Sequence, residues 1–178
     1  RFVHSFWGLS RELAYSRHYP AVDWNISYSE YISTLQNWYE ENVDVEFLEI
    51  RQKIVQILEE ENELLEIARV VGQDVLSESN KLILEIAKII RIGFLQQNAL
   101  DLVDTSVSIN KQFKMMQTII LLYEKSLNLT QKGIPISEIK KLGFLDKFNN
   151  LKFEIKNDEL EKFDYINTKI KSSFKKLE

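Results

Sequence analysis

The chain has 178 residues, of which 44% are hydrophobic and 28% charged, and its formal net charge at pH 7 is −4. This length is enough to bury one full core, and the composition is typical of a soluble globular protein rather than a disordered one. The absence of cysteine excludes disulfides, thiol nucleophiles and cysteine-ligated metals, and two histidines are too few for a three-histidine metal site. The acidic balance argues against non-specific nucleic-acid binding.

Glycine and proline are scarce, with five and two residues respectively. A β-sandwich or barrel needs a turn every several residues, so this scarcity favours long helices. The sequence therefore predicts an all-α fold: one helical-bundle domain over residues 1–178 with about six to seven helices. Its N-terminal segment, residues 1–26, is rich in aromatic residues and is expected to be irregular.

The first predicted helices lie in and just after this segment. Apolar residues at helical spacing between Phe6 and Tyr15 predict a short helix that ends before Pro20. The SYSE sequence at 27–30 has the spacing of a capping box and predicts a second helix. We expect that helix to bury Tyr28, Tyr31, Ile32, Leu35 and Trp38.

The middle of the chain has the strongest helical periodicity. Over residues 44–71, apolar residues recur at steps of three and four, which predicts a long amphipathic helix ending at Gly72. Ser77 is predicted to cap the next helix, which buries Leu82, Ile83, Ile86, Ile89, Ile90 and Phe94. Residues 107–130 predict a further helix with Phe113, Met116, Ile119, Ile120, Tyr123 and Leu127 on its inner face.

The last part of the chain is less regular. GIP at 133–135 predicts a turn, followed by a short helix from Ser137 to near Gly143. The alternation of apolar and polar residues over 151–156 predicts a brief extended stretch. DELE at 158–161 has capping-box spacing, and the helix after it is expected to bury Leu160, Phe163, Ile166, Ile170 and Phe174.

Charge is unevenly distributed along the chain. Residues 40–66 hold ten acidic and two basic residues, a local charge of −8, whereas residues 140–178 hold ten lysines and seven acidic residues. The simpler interpretation is that both are solvated helix faces. The alternative is a stand-alone helical adaptor that binds a basic protein partner through the acidic 40–66 face.

The residues offer little catalytic chemistry. The chain contains no GxxxxGK[ST], GxGxxG, HExxH or GxSxG motif. His18 follows Arg17, whose charge opposes protonation of the imidazole, so a small enzyme with His18 as general base is a further alternative. We favour a packed, hydrogen-bonded structural role for His18, since no positioned nucleophile accompanies it.

Two carboxylate pairs are candidate sites. Glu59 and Glu63 share a helix face, and we expect an exposed repulsive pair rather than an acid/base dyad. Asp101 and Asp104 follow the polar run QQN at 96–98. We interpret them as capping a helix end, while a polar break that faces a ligand is the alternative.

Several segments, in order, resemble one known family. FWGL at 6–9, RHYPAVDW at 17–24 and SYS at 27–29 resemble the start of the C-terminal domain of the catalytic A subunits of vacuolar/archaeal-type (V/A-type) rotary ATPases. The resemblance continues through EIARVVGQDVLSE at 66–78, KLILEIAKIIR at 81–91, FLQQNA at 94–99, VDT at 103–105 and the turn and helix at 133–142. It extends over nearly the whole chain.

The resemblance implies a parent enzyme that couples ATP hydrolysis or synthesis to proton or sodium transport. In that family, catalytic A subunits and B subunits alternate in a hexameric ring around a central shaft subunit, in the cytoplasm and peripheral to the membrane. ATP and Mg are bound by a nucleotide-binding domain that precedes this region. We therefore expect no catalytic residue, no metal site and no cofactor within these 178 residues, and no ATP hydrolysis by the chain alone.

The resemblance also implies roles for two regions. The loop expected to push on the rotor shaft comprises Gly72, Gln73, Asp74, Val75, Leu76, Ser77 and Glu78. Leu100 and Ser106 occupy positions where the family has aromatic residues bordering the adenine. Leu100 can cover a ring face but Ser106 cannot stack, so an adenine contact would be weaker than an aromatic pair gives. The domain is expected to move as a rigid lever, with its hinge at or before residues 1–26.

Overall fold

The computed structural model of the chain describes residues 3–177, and most of them are helical, which confirms the all-α prediction. Residues 1, 2 and 178 of the predicted domain lie outside that range. The elements in chain order are β1 (Ser5–Leu9), α1 (Arg11–Tyr15), β2 (Val22–Ser29), α2 (Tyr31–Thr34), α3 (Gln36–Asn42), α4 (Phe47–Val71), α5 (Glu78–Ile89), α6 (Ile109–Gln131), α7 (Ile136–Lys140), α8 (Phe144–Glu154) and α9 (Glu161–Phe174). Within the described range, no helix combines the length and the apolar character needed to cross a bilayer.

The core lies where α4, α5 and α6 pack on one another, with α9 against α6 and α8 against α5. Their apolar faces meet there because each helix repeats its apolar residues at steps of three and four. Side chains at the centre are fully buried, among them Leu82, Ile86, Ile119, Leu122 and Phe163. Such interiors are packed at the density of organic crystals, so the bundle resists internal deformation.

The ends of the long helices follow the predicted signals. Gly72, at the end of α4, has φ +86°, a conformation that glycine adopts without strain. Ser77 caps α5, since its Oγ accepts a hydrogen bond of 3.2 Å from the Asn80 backbone N–H. Ser108 caps α6 in the same way through the Lys111 N–H. The predictions for Gly72 and Ser77 are confirmed.

After α5, residues Ile90–Leu95 form a π-helical segment rather than more α-helix. The Gln96 N–H bonds to the Arg91 carbonyl oxygen, five residues back, at 2.8 Å. Such wide turns are rare and occur often at functional sites. This segment leads directly into the irregular stretch of residues 96–106.

The N-terminal segment differs from its prediction. The helix is limited to α1, whereas Ser5–Leu9 is a strand that pairs antiparallel with β2. Its partner strand lies about twenty residues further along the chain, so the local spacing of apolar residues could not reveal the pairing. The Ile26 side chain lies over Gly8, so a larger residue at this position would require that exposed side chain to move.

The capping box predicted at 27–30 does not form. Ser27–Ser29 belongs to β2, and the Ser27 Oγ accepts a hydrogen bond from the Gly8 N–H instead. The helices that follow, α2 and α3, are short, and three of the five residues expected to be buried are exposed: Tyr31, Leu35 and Trp38. Strand pairing with β1 thus uses the residues that were predicted to cap a helix.

Two C-terminal predictions also need correction. The prediction of an extended stretch at 151–156 is wrong, because α8 continues through Glu154. Leu145, Phe148 and Leu151 are buried at steps of three. The capping box at 158–161 is not formed, since α9 begins at Glu161 without a side-chain cap. The helix itself is confirmed, with Phe163, Ile170 and Phe174 buried.

The packing of the core gives a stability prediction. Ile119 is fully buried in α6, so Ile119→Ala should lower the free energy of unfolding by about 2–5 kcal/mol. Val70 is 85% exposed, so Val70→Ala should change it by no more than about 0.5 kcal/mol. Urea unfolding followed by circular dichroism measures both, and equal losses for the two variants would contradict this core.

Candidate functional site

The loop expected to meet the rotor shaft, Gly72–Glu78, is here called the tip. It joins α4 to α5 by one 3-10 turn, Gln73–Val75, and then an extended residue, Leu76. Leu76 is buried in the core, and Ser77 caps α5. The tip is therefore anchored at its α5 side by one apolar and one polar contact.

Glu78 ties the tip to a third helix. Its Oε2 accepts a hydrogen bond of 2.7 Å from the backbone N–H of Ile136, the first residue of α7. Its Oε1 lies 3.0 Å from the ammonium group of Lys81. The Ile136 N–H, and then Lys81, lower the pKa of the Glu78 carboxyl. This charge is thus engaged within the domain.

Apolar side chains in and next to the tip point outward. Ile67, Val70, Val71 and Val75 are all exposed, and we call these four residues the apolar patch. The first three share one face of α4, because they are three and four residues apart. Glu66, beside them, is paired with Arg69 at 2.9 Å. Grouped exposed apolar residues are a common mark of a protein–protein contact.

The second predicted region, residues 96–106, is here called the 96–106 loop. Leu100 is 93% exposed and borders a cleft of about 530 Å³ that Tyr19, Gln97, Asn149 and Phe153 also line. This cleft offers apolar faces together with amide donors and acceptors. Within residues 3–177, the residues lining it include Leu100 but not Ser106, whose carbonyl oxygen accepts a hydrogen bond from the Asn157 side chain.

The two aspartates of this loop accept hydrogen bonds from its backbone. Asp101 Oδ1 accepts hydrogen bonds of 2.9 Å from the backbone N–H groups of Val103 and Asp104. Asp104 Oδ2 accepts one of 2.7 Å from the Asn98 N–H. The prediction that they cap a helix end is wrong, because Ser108 caps α6 and both carboxylates instead hold turns within the loop.

Sequence reasoning missed two buried lysines beside this loop. The Lys152 ammonium group donates a hydrogen bond to the Gln96 carbonyl oxygen and lies 3.5 Å from Asp104 Oδ2. The Lys111 ammonium group donates to the carbonyl oxygen of Lys152 at 2.8 Å. Desolvation lowers the pKa of both lysines, and Asp104 partly offsets this. Their positions on inner helix faces were a signal that could have identified them.

His18 has the structural role that its sequence context favours. It is buried, its Nε2 bonds to the Arg91 carbonyl oxygen at 2.9 Å, and its ring packs 5.7 Å from that of Trp24. Arg91 also forms an ion pair of 2.6 Å with buried Glu61. Burial raises the pKa of Glu61, and the charge of Arg91 opposes that rise. These contacts join the N-terminal segment to α4 and to the π-helical segment.

The acidic residues of 40–66 do not form one continuous charged face. Glu61 is withdrawn into the ion pair with Arg91, and Glu49 lies 3.1 Å from Lys53 on the same helix. Glu59 and Glu63 are exposed, as expected. These positions favour a solvated face. Over the part of the chain that the structure describes, no three acidic or histidine side chains are grouped to hold a metal ion.

Comparison with known proteins gives a consistent result. A family model described as "C-terminal domain of V and A type ATP synthase" matches residues 36–140. The V-type ATP synthase alpha chain 2 of Clostridium tetani is 44% identical over 177 residues, and the V-type ATP synthase alpha chain of Halothermothrix orenii is 41% identical over 177. Each alignment covers 99% of this chain, which spans about 30% of the length of these relatives.

A solved structure supports the fold. The ATP synthase subunit NeqB from Nanoarcheaum equitans aligns with a TM-score of 0.55 over 68% of this chain and 28% of its own. The sequence identity is 21%, so this likeness concerns the arrangement of the helices alone.

The bonds of Glu78 give a prediction on pH. Because the folded state holds its pKa below the ordinary value of about 4.3, Glu78 stabilises the fold above that value and loses this effect as the pH falls through the lowered pKa. Glu78→Gln keeps an acceptor for the Ile136 N–H and removes the titration. Its urea midpoint should fall less steeply below about pH 5 than that of the wild type. Exposed Glu59→Gln is the control, and an unchanged slope in Glu78→Gln would contradict the prediction.

Proposed function

The chain belongs to the family of C-terminal domains of V and A type ATP synthases, and on that premise we propose that it is the lever domain of a catalytic A subunit. In the parent protein, a nucleotide-binding domain that holds ATP and Mg precedes it. In the complex, which translocates protons or sodium ions, it stands in a hexameric ring with B subunits and further copies of the A subunit. The lever transmits nucleotide-driven motion to the central shaft, on the cytoplasmic side and peripheral to the membrane.

The observation that carries this proposal is the attachment of the tip to a rigid body. α4 has 25 residues, a length of roughly 37 Å, and it ends at the tip. From Phe47 to Leu64 it packs against α5 and α6 through buried side chains, and beyond the last two turns of α4 the chain returns to the core at Leu76. Since a packed core does not deform continuously, a rotation of the domain displaces the tip with little internal loss.

We assign the shaft contact to Gly72–Glu78 together with the apolar patch. Within the tip, Leu76, Ser77 and Glu78 fix the conformation, and Val75 is presented outward. Glu66 and Glu78 are engaged in bonds of this domain, and Asp74 is an exposed acidic residue of the tip beside the four exposed apolar ones. We therefore assign more of the contact to apolar packing than to charge. A pushing surface needs shape and stiffness more than it needs affinity.

We assign a second, smaller role to the 96–106 loop. Leu100 lies beside the base of a nucleotide that the preceding domain binds, and Ser106 adds less to that contact. The cleft at Leu100, with an apolar wall and side-chain amides, suits the face and edge of a purine. The residues of this chain then supply an apolar boundary for the base, while hydrolysis takes place in the preceding domain and not in this chain alone.

The tip assignment predicts the effect of charge in the apolar patch. In the holoenzyme, the double variant Val70→Asp with Val75→Asp should lower ATP-driven ion transport into vesicles by about tenfold, or about 1.4 kcal/mol, because each carboxylate must lose its water at the shaft. Both residues are exposed, so the free energy of unfolding of the domain should fall by no more than about 1 kcal/mol.

The matched control is Val45→Asp. Val45 is 74% exposed but precedes the other end of α4, far along the helix from the tip. Transport should therefore be unchanged in this variant. Wild-type transport in the tip variant, with intact assembly, would show that the shaft does not contact these residues.

A further inference from the structure

We propose that Lys152 is the positioning residue of the 96–106 loop, joining the two ends of the loop and holding Leu100 towards the nucleotide. The part of this inference that concerns the nucleotide rests on the proposed place of Leu100. The part that concerns the loop rests on contacts within this chain.

The contacts show one ammonium group closing the loop. Lys152 lies on α8 with its side chain 4% exposed, and its ammonium group donates to the carbonyl oxygen of Gln96, where the loop begins. The same group lies 3.5 Å from Asp104, eight residues further along. The Asp104 oxygen that faces it also accepts the Asn98 N–H at 2.7 Å. Both ends of the loop thus meet at one buried ion pair.

Between these ends the loop supports itself locally. Asn98 Oδ1 accepts a hydrogen bond of 3.0 Å from the Leu100 N–H, and Asp101 caps the turn that follows. Leu100 and Leu102, in contrast, are 93% and 95% exposed and have almost no packing of their own. Their direction is therefore set by the backbone, and the backbone is fixed where Lys152 and Asp104 meet.

The chemistry of the pair favours positioning over stability. Removing two charges from water costs about as much as their attraction returns, so a well-packed apolar pair would stabilise the bundle equally well. What an ammonium group adds is direction: it donates a hydrogen bond to the Gln96 carbonyl oxygen and forms an ion pair with Asp104 in another part of the loop. Lys111 then holds the backbone at Lys152 through its own ammonium group.

The start of the loop also has bonds to the N-terminal segment. The Gln97 N–H donates to the Tyr19 carbonyl oxygen at 2.7 Å, and the Gln96 side chain donates to the carbonyl oxygen of Arg17 at 3.1 Å. A loop clasped at Gln96 is therefore also fixed relative to residues 17–19. Lys152 thus positions Leu100 relative to the segment that would lead to the preceding domain.

The first test uses the holoenzyme. Lys152→Met keeps a side chain of similar length and removes the charge, and it should raise the KM for ATP roughly fivefold while kcat is largely retained, since uniform binding is lost. Lys152→Arg keeps a donor to both acceptors and should restore most of the KM. A merely structural residue would not separate KM from kcat in this way.

A second variant controls for destabilisation of the fold. Lys152→Met leaves Asp104 buried without its partner, which is destabilising. The double variant Lys152→Met with Asp104→Asn removes both charges, so it should fold with a near-normal urea midpoint and still show the raised KM. A normal KM in this stable double variant would overturn the positioning role.

Hydrogen exchange in the same full-length protein separates the two halves of the proposal. In the double variant, the amides of residues 97–103 should exchange about tenfold faster, while those of α4, α5 and α6 keep their protection. Unchanged exchange in the loop would overturn the clasp and leave the lever proposal intact. Faster exchange with an unchanged KM would overturn the proposed place of Leu100 and the positioning role built on it.

Discussion

The close packing of α4, α5 and α6 is the constraint on which the other features depend. Their inner faces are fully buried and continuous, so the three helices keep one relative arrangement. The tip is held because Leu76 enters this core and because Glu78 fastens α5 to α7. The proposed lever role needs no special device at the tip beyond this stiffness.

Buried charge occurs at two places where the bundle meets less regular structure. Glu61 and Arg91 pair where the π-helical segment meets α4, and Asp104 and Lys152 pair where the 96–106 loop joins α8. Apolar packing has little direction, whereas a charged hydrogen bond points at one acceptor. The bundle thus derives its rigidity from apolar contacts and the placement of its attached segments from ionic ones.

The sequence predicted the parts of the fold whose information is local. α4 and α6 repeat their apolar residues over more than twenty positions, and Gly72 and Ser77 mark ends by their own backbone chemistry. The strand β1 was missed because its partner is distant, and five residues are too few to separate helical from strand periodicity. Of the site, the tip was located only by family resemblance. The apolar patch and Lys152 were missed because valine on an outer face and lysine on an inner one oppose the usual pattern.

The π-helical turn after α5 has a consequence for how the chain tolerates change in length. A π turn holds one residue more than an α turn, so everything after Ile89 leaves the helix rotated by roughly 100°, the angle of one residue. That rotation coincides with an Arg91 carbonyl oxygen that reaches His18 and a Gln96 carbonyl oxygen that reaches Lys152. Deleting one residue between Ile90 and Leu95 would restore regular α-helical geometry there. It would also turn the 96–106 loop away from the contacts it makes with Lys152. The irregular turn therefore acts as a spacer that sets the direction in which the loop leaves the bundle.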